Sequence, residues 1–132
     1  MKLKIDFDSI KPIYIQIAEA IEDEIIAGNL AEGAPAYSQL VLSKELGINP
    51  ATAAKGINVL VQRGILEKQR GQSMIVAAGS KKKLLIDKQT NGFQSTVRGL
   101  VDEAKKIELP EEKLIAMIRQ YFTSDEGSNG NE

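Results

Sequence analysis

The stretch that most constrains this chain is "LSKELGINPATAAKGINVL", residues 42–60. Gly47 and Pro50 stand three positions apart, and both residue types disfavour a helix interior. Ile48 and Asn49 between them therefore belong to a tight turn rather than to one long helix. Ser38 is a good N-cap for a short helix of about eight residues that Gly47 closes, with Leu42 and Leu46 on its buried face. Asn49 is a second N-cap, and Pro50 falls just inside the next helix, where its missing N–H is harmless. Beyond it Ala53, Gly56, Ile57 and Leu60 recur at i, i+3, i+4 and i+7, the spacing of a core-facing stripe. Thr52, Lys55, Asn58 and Gln62 line the other side, and the helix runs to about Arg63 with Gly64 as its stop.

The flanks complete a motif. Pro12 starts an earlier helix over residues 13–27, in which Tyr14, Ile17, Ala18, Ile21 and Ile25 form one apolar stripe. Glu19, Glu22, Asp23 and Glu24 lie off that stripe, and Gly28 and Asn29 end the helix. Residues 30–37, with Gly33 and Pro35, read as a loop. After Gly64, "GILEKQRGQSMIVAA" reads as a hairpin: strand 65–68, a turn over 69–73 containing Arg70 and Gly71, and strand 74–77. Two short helices around a Gly-containing turn followed by a β-hairpin make a winged helix-turn-helix.

Lys81, Lys82 and Lys83 then read as a basic linker, with two further helices over 92–107 and 110–122. Val97, Leu100, Val101, Ala104 and Ile107 form one stripe; Leu114, Ile118, Tyr121 and Phe122 form another. Glu111 and Glu112 suit the positive end of the second. From Ser124 the chain is polar and Gly-rich, the composition of a disordered tail. The expected architecture is mainly α with a small β-hairpin: a winged helix-turn-helix over 1–80, a helical dimerisation tail over 81–123 and a disordered tail over 124–132. Two helices cannot bury two apolar stripes between themselves, so a second copy is the natural partner for Val97, Leu100, Val101, Ala104, Leu114, Ile118, Tyr121 and Phe122. The alternative is packing back on the winged helix within one chain.

Composition narrows the chemistry. Among 132 residues there is no His and no Cys, so the usual general base near neutral pH and the softer metal ligands are missing. No convergent carboxylate set, nucleophile–base pair or phosphate loop appears, so no enzyme, cofactor or metal site is expected. Cysteine-free composition suits a reducing cytoplasm. The N-terminal segment lacks the apolar run of a secretory signal, and no stretch approaches the roughly 18 apolar residues of a membrane span.

Charge is unevenly spread. Residues 1–37 carry 3 positive and 7 negative side chains, a balance of −4; residues 38–83 carry 8 and 2, or +6; residues 84–132 carry 6 and 9, or −3, giving the net −1. A basic middle between acidic ends is an electrostatic footprint for nucleic acid. A major groove accepts one α-helix and is read by short and medium polar side chains near its N-terminus. Candidate DNA contacts are therefore Ala51, Thr52, Lys55 and Asn58 on the helix, the caps Ser38 and Asn49, and Arg70, Gly71 and Gln72 in the wing. The plain alternative is a polar face that is merely solvated. Lys81, Lys82 and Lys83 likewise read either as a solvated linker or as phosphate contacts that steepen salt dependence.

Residues 12–77 resemble, without gaps, the winged-helix domain of GntR-family bacterial transcription regulators. "IYIQIAEAIEDEIIAG", "ELGINPATAAKGINVL" and "RGILE" are the most specific pieces. Thr52 and Lys55 match the family's recognition-helix pattern. The departures are local. The family Arg that commonly contacts DNA falls on Leu40 and the following Glu on Val41; the family Pro falls on Tyr37, with Pro35 two residues earlier. Ile57 replaces a frequent aromatic, and the wing keeps Arg70 and Gly71 but has Ser73 for the second Gly. Loss of the arginine contact, roughly 1–3 kcal/mol, weakens or re-targets binding. The short tail is similar to the YtrA-type subfamily. That resemblance implies a homodimer on a palindromic double-stranded operator, acting as a repressor. A small-molecule effector is left open: it could bind between winged helix and tail, but the sequence shows no pocket and names no ligand class. A second reading, a winged-helix protein-interaction module with little DNA affinity, rests on Leu40 and Val41 being apolar.

Overall fold

The computed structural model describes residues 3–71 and 74–129, with side chains through residue 124. Gln72 and Ser73 lie outside the described residues, and with them the reading of Gln72 as a wing contact. The chain divides into two compact units, Met1–Asp87 and Lys88–Glu132.

The first unit holds helices α1 (Ile13–Ile26), α2 (Gln39–Leu46) and α3 (Pro50–Gln62), strands β1 (Leu66–Glu67) and β2 (Ile75–Val76), and helix α4 (Ser80–Asp87). The stripes pack as their spacing requires. Ile17, Ala18, Ile21 and Ile25 of α1 and Ala53, Gly56, Ile57 and Leu60 of α3 are buried, joined by Leu42, Leu66, Val76 and Leu84. Tyr14 and Leu46 are half-buried. At Gly56 helices α1 and α3 approach closely: a Cβ there would lie 2.9 Å from Ile17 Cγ2 and 3.0 Å from the Tyr14 carbonyl oxygen. The caps form as the sequence implies. Ser38 Oγ accepts from the Val41 N–H at 3.1 Å, and Asn49 Oδ1 accepts from the Ala51 N–H at 2.7 Å. Gly47 closes α2 in the left-handed region at φ 65°, where a side chain would strain the backbone.

Three features depart from the sequence reading. First, the hairpin is shorter, pairing Leu66 with Val76 and Glu67 with Ile75, and it gains a partner from the loop before α2. Pro35 stands opposite Ile75; Ala36 N–H donates to the Met74 carbonyl and Val76 N–H to the Ala34 carbonyl. Gly33 and Pro35 conceal this extended segment because both are poor strand formers. Second, Lys81, Lys82 and Lys83 are not a linker: they project from α4, a helix of the first unit. Leu84 and Ser80, one turn apart, are buried, and Ser80 Oγ donates to the Ile65 carbonyl at 2.8 Å. The boundary read at residue 80 therefore moves to 87. Third, Glu22 is not on a solvated face. It is 4% exposed and ion-paired with Arg63.

The second unit begins with a π-helical turn, Lys88–Gly92, followed by α5 (Gln94–Lys106) and α6 (Glu111–Asn129). Glu108, at φ 56°, closes α5, with the Leu109 N–H donating to the Ala104 carbonyl. Helix α6 continues past Phe122 to Asn129, where the sequence reading had a disordered tail from residue 124. That stretch has no Pro, and each residue added to an existing helix brings a further backbone hydrogen bond.

Candidate nucleic-acid interface

Helix α3 presents its outward face between its cap and the wing. Ala51, Lys55, Asn58 and Gln62 are exposed along it, and Thr52, half-buried, flanks them. These follow from the register: with residues 53, 56, 57 and 60 inward, one turn's opposite positions must face out. Asn49 is exposed and Ser38 half-buried, and each uses a side-chain oxygen to cap a helix. The Ser38 hydroxyl hydrogen stays available to an acceptor. Arg70 and Gly71 stand exposed at the turn between β1 and β2, Gly71 at φ 71°.

Lys55 is not a loose side chain. Its ammonium sits 4.2 Å from the centre of the Tyr14 ring, a cation–π contact that pins it beside α1. Periodicity places Tyr14 only on the core stripe; its phenol ring also seats Lys55. A groove of about 230 Å³ runs between α2, α3 and the wing, bringing together Ser38 and Asn58 with Gln39, Ala54, Ile57, Val61, Lys68 and Met74. Gln39 and Lys68 escaped the sequence reading as contacts; membership of the basic middle is the only signal that pointed to Lys68.

The cations of residues 38–83 separate by environment. Arg63 is neutralised by Glu22 and by Asp87 at 3.5 Å, and Lys83 donates to the Arg63 carbonyl. Among the described residues, no carboxylate lies within ion-pairing range of Lys44, Lys55, Lys68 or Arg70. Lys81 and Lys82 are likewise exposed without such a partner, but on α4, so four of the six available cations lie on α2, α3 and the wing. At the start of α4, Glu32 accepts from the backbone N–H groups of Gly79 at 2.8 Å and Lys81 at 3.2 Å. These bonds, Gly79 foremost, hold its carboxyl below the usual carboxylate range. Burial, with help from Glu24, pushes the Tyr37 phenol up.

In the second unit Val97, Leu100, Ile118, Tyr121 and Phe122 are exposed, Val101 and Leu114 half-buried and Ala104 buried. Among the described residues no group of three or more His, Cys, Asp or Glu side chains could hold a metal ion, and no helix is long and apolar enough to cross a membrane.

No protein-family model matches the chain. Whole-length relatives do. It is 26% identical over 115 residues, 87% of this chain and 93% of the relative, to the uncharacterised HTH-type transcriptional regulator YhcF of Bacillus subtilis. A GntR-family transcriptional regulator from Listeria monocytogenes superposes with a TM-score of 0.67 at 26% identity, covering 86% of this chain and 98% of that one. Over most of its length the chain is thus similar to GntR-family regulators. It is also similar to YtrA from Sulfolobus acidocaldarius, described as a GntR-family transcription factor. That chain is 28% identical, with a TM-score of 0.56 over 80% of this chain and 99% of that one. The winged helix, the feature the sequence resemblance implied, is the fold the GntR neighbours share.

Proposed function

We propose that this protein is a GntR-family, sequence-specific, homodimeric DNA-binding transcription regulator that inserts α3 into the major groove. One observation carries the reading: the exposed face of α3, with Ala51, Lys55 and Asn58, shares its unit with unneutralised cations on α2, α3 and the wing, Lys44, Lys68 and Arg70 among them. Short side chains allow close approach, Lys55 and Asn58 offer donors to base edges, and the cations supply the sequence-independent phosphate attraction. The exposed stripes of α5 and α6 call for a second copy. A two-fold dimer reads a palindrome whose half-sites are roughly 34–36 Å apart or a multiple of that. Repression by occlusion is the polarity proposed.

Fluorescence anisotropy with duplex DNA from upstream of the protein's own gene, against a scrambled duplex across a salt series, tests this. Tight, sequence-dependent binding with a steep salt slope is expected. Equal affinity for both duplexes, with genome-wide selection of fragments yielding no shared palindrome, defeats it. Repression is checked separately with a promoter reporter.

Leu40 and Val41, 63% and 44% exposed on the first turn of α2, favour one second reading, an interaction surface for another protein. Leu40→Arg separates the two. It strengthens DNA binding under the first reading and disrupts a partner complex under the second.

A further inference from the structure

The Glu22–Arg63 pair is the one ion pair among the described residues with a buried member, and DNA reading as proposed above gives it no role. Arg63 is the C-cap residue of α3, directly after Gln62 on the outward face. Its Nη1 bonds the Glu22 carboxylate on α1, and its Nη2 reaches Asp87 Oδ2 at 3.5 Å. Its carbonyl oxygen accepts from Lys83 Nζ. Glu22 belongs to α1, Lys83 and Asp87 to α4, so three helices meet at the end of the reading helix. Asp87 is also the last residue of α4, and the π-helical turn that opens the second unit follows it in the chain.

Stability alone explains this cluster poorly. Glu22 loses hydration on folding while Arg63 stays 41% exposed, and an apolar pair in place of such a bridge is often about as stable. What a guanidinium adds is direction, because its rigid fork fixes the geometry of whatever it bonds. We infer that Arg63 is a positioning residue for DNA reading. It sets the C-terminal end of α3 against α1 and α4, and so ties the angle at which the reading face is presented to the helix from which the chain leaves for the second unit. This rests on the DNA-binding reading above.

The test uses the full-length protein. Arg63→Met alone strands a buried carboxylate and lowers stability, so the informative variant is Glu22→Leu with Arg63→Met, which substitutes an apolar pair. The expected result is a melting temperature restored to the parent's, with operator affinity still reduced roughly 2- to 30-fold, the range carried by packed networks. The salt slope is expected to stay unchanged, since a residue that acts only through α1 and α4 displaces no counterion from phosphate. Parental affinity in that variant makes the pair purely structural and overturns the inference; so does a shallower slope, which marks a direct phosphate contact. If the double variant does not fold, Arg63→Lys, which keeps the charge and loses the fork, takes its place with the same expectations. Asp87→Asn examines the α4 arm: about threefold weaker binding to the two-half-site duplex, with binding to a single half-site unchanged. Equal effects on both duplexes remove α4 from the inference. Should the parent itself fail to distinguish operator from scrambled DNA, the functional reading fails separately. Amide exchange over residues 59–63 then tests only the hold on the end of α3: about tenfold faster in the substituted protein, with the rest of α3 unchanged, shows that the pair fixes it, and no change overturns the inference.

Discussion

The two units solve the same problem in opposite ways. Both carry helices with apolar residues at helical spacing, but α1 and α3 sink theirs into a core with Leu42, Leu66, Val76 and Leu84, whereas α5 and α6 leave Val97, Leu100, Ile118, Tyr121 and Phe122 exposed. Among the described residues of the second unit, only Ala104 is buried. Period announces which face must leave water; it does not say what covers it. In the first unit the cover is intramolecular. In the second, the proposed cover is another copy of the chain.

Substitutions can break that contrast. The largest effect is expected in the first unit's core. Leu60→Ala removes a side chain with no solvent exposure and should cost about 2–5 kcal/mol in urea unfolding monitored by circular dichroism. A loss under 1 kcal/mol would mean that α3 is not held by that core. The counterpart in the second unit, Leu100→Asp, should leave unfolding of the first unit within about 0.5 kcal/mol of the parent. It should shift the sedimentation profile from dimer to monomer, and a profile that stays dimeric breaks the proposed division of labour. Next comes Lys55→Ala, which should weaken operator binding by about tenfold and relax base preference at one position per half-site. Melting should barely move, since the contact with Tyr14 lies on the surface. Unchanged affinity at equal salt would remove α3 as the reading helix.

The smallest effect concerns Glu32. Its carboxyl is held below its unfolded value, so the stability it adds is fully present above the unfolded pKa. That stability is lost as pH falls through the lower, folded value. Glu32→Gln should therefore lower the melting temperature slightly at neutral pH and show a flatter decline through the acid range. Parallel melting curves for the two proteins between neutral and strongly acid pH would show that the bonds to Gly79 and Lys81 contribute nothing.

What the sequence disclosed, and what it concealed, follow from the reach of each signal. The caps Ser38 and Asn49, the stops Gly47 and Gly64 and the inward stripe of α3 are all written within a few residues of where they act. The GntR-type winged helix was legible for that reason, and so was the outward face with Ala51, Lys55 and Asn58. Helix α4 was missed because its three lysines dominate "SKKKLLID" and only Leu84 and Ser80 are buried. Glu22 looked like a solvated carboxylate because its partner lies 41 residues away. Tyr14 beneath Lys55 and Glu32 beneath α4 are hidden likewise: each joins segments that only the fold brings together.

Pro35 has one more consequence. The segment it occupies is the open margin of the small sheet, and its neighbours Ala34 and Ala36 bond inward to Val76 and Met74. Alternation along an extended chain turns the nitrogen of Pro35 outward, the one place where the missing hydrogen breaks no bond within the sheet. It also leaves an incoming strand without a donor at that rung, so the margin offers a poor template for adding strands from other molecules. Clumping through the wing is thereby discouraged, and the adhesive surface of the protein is left to its helices.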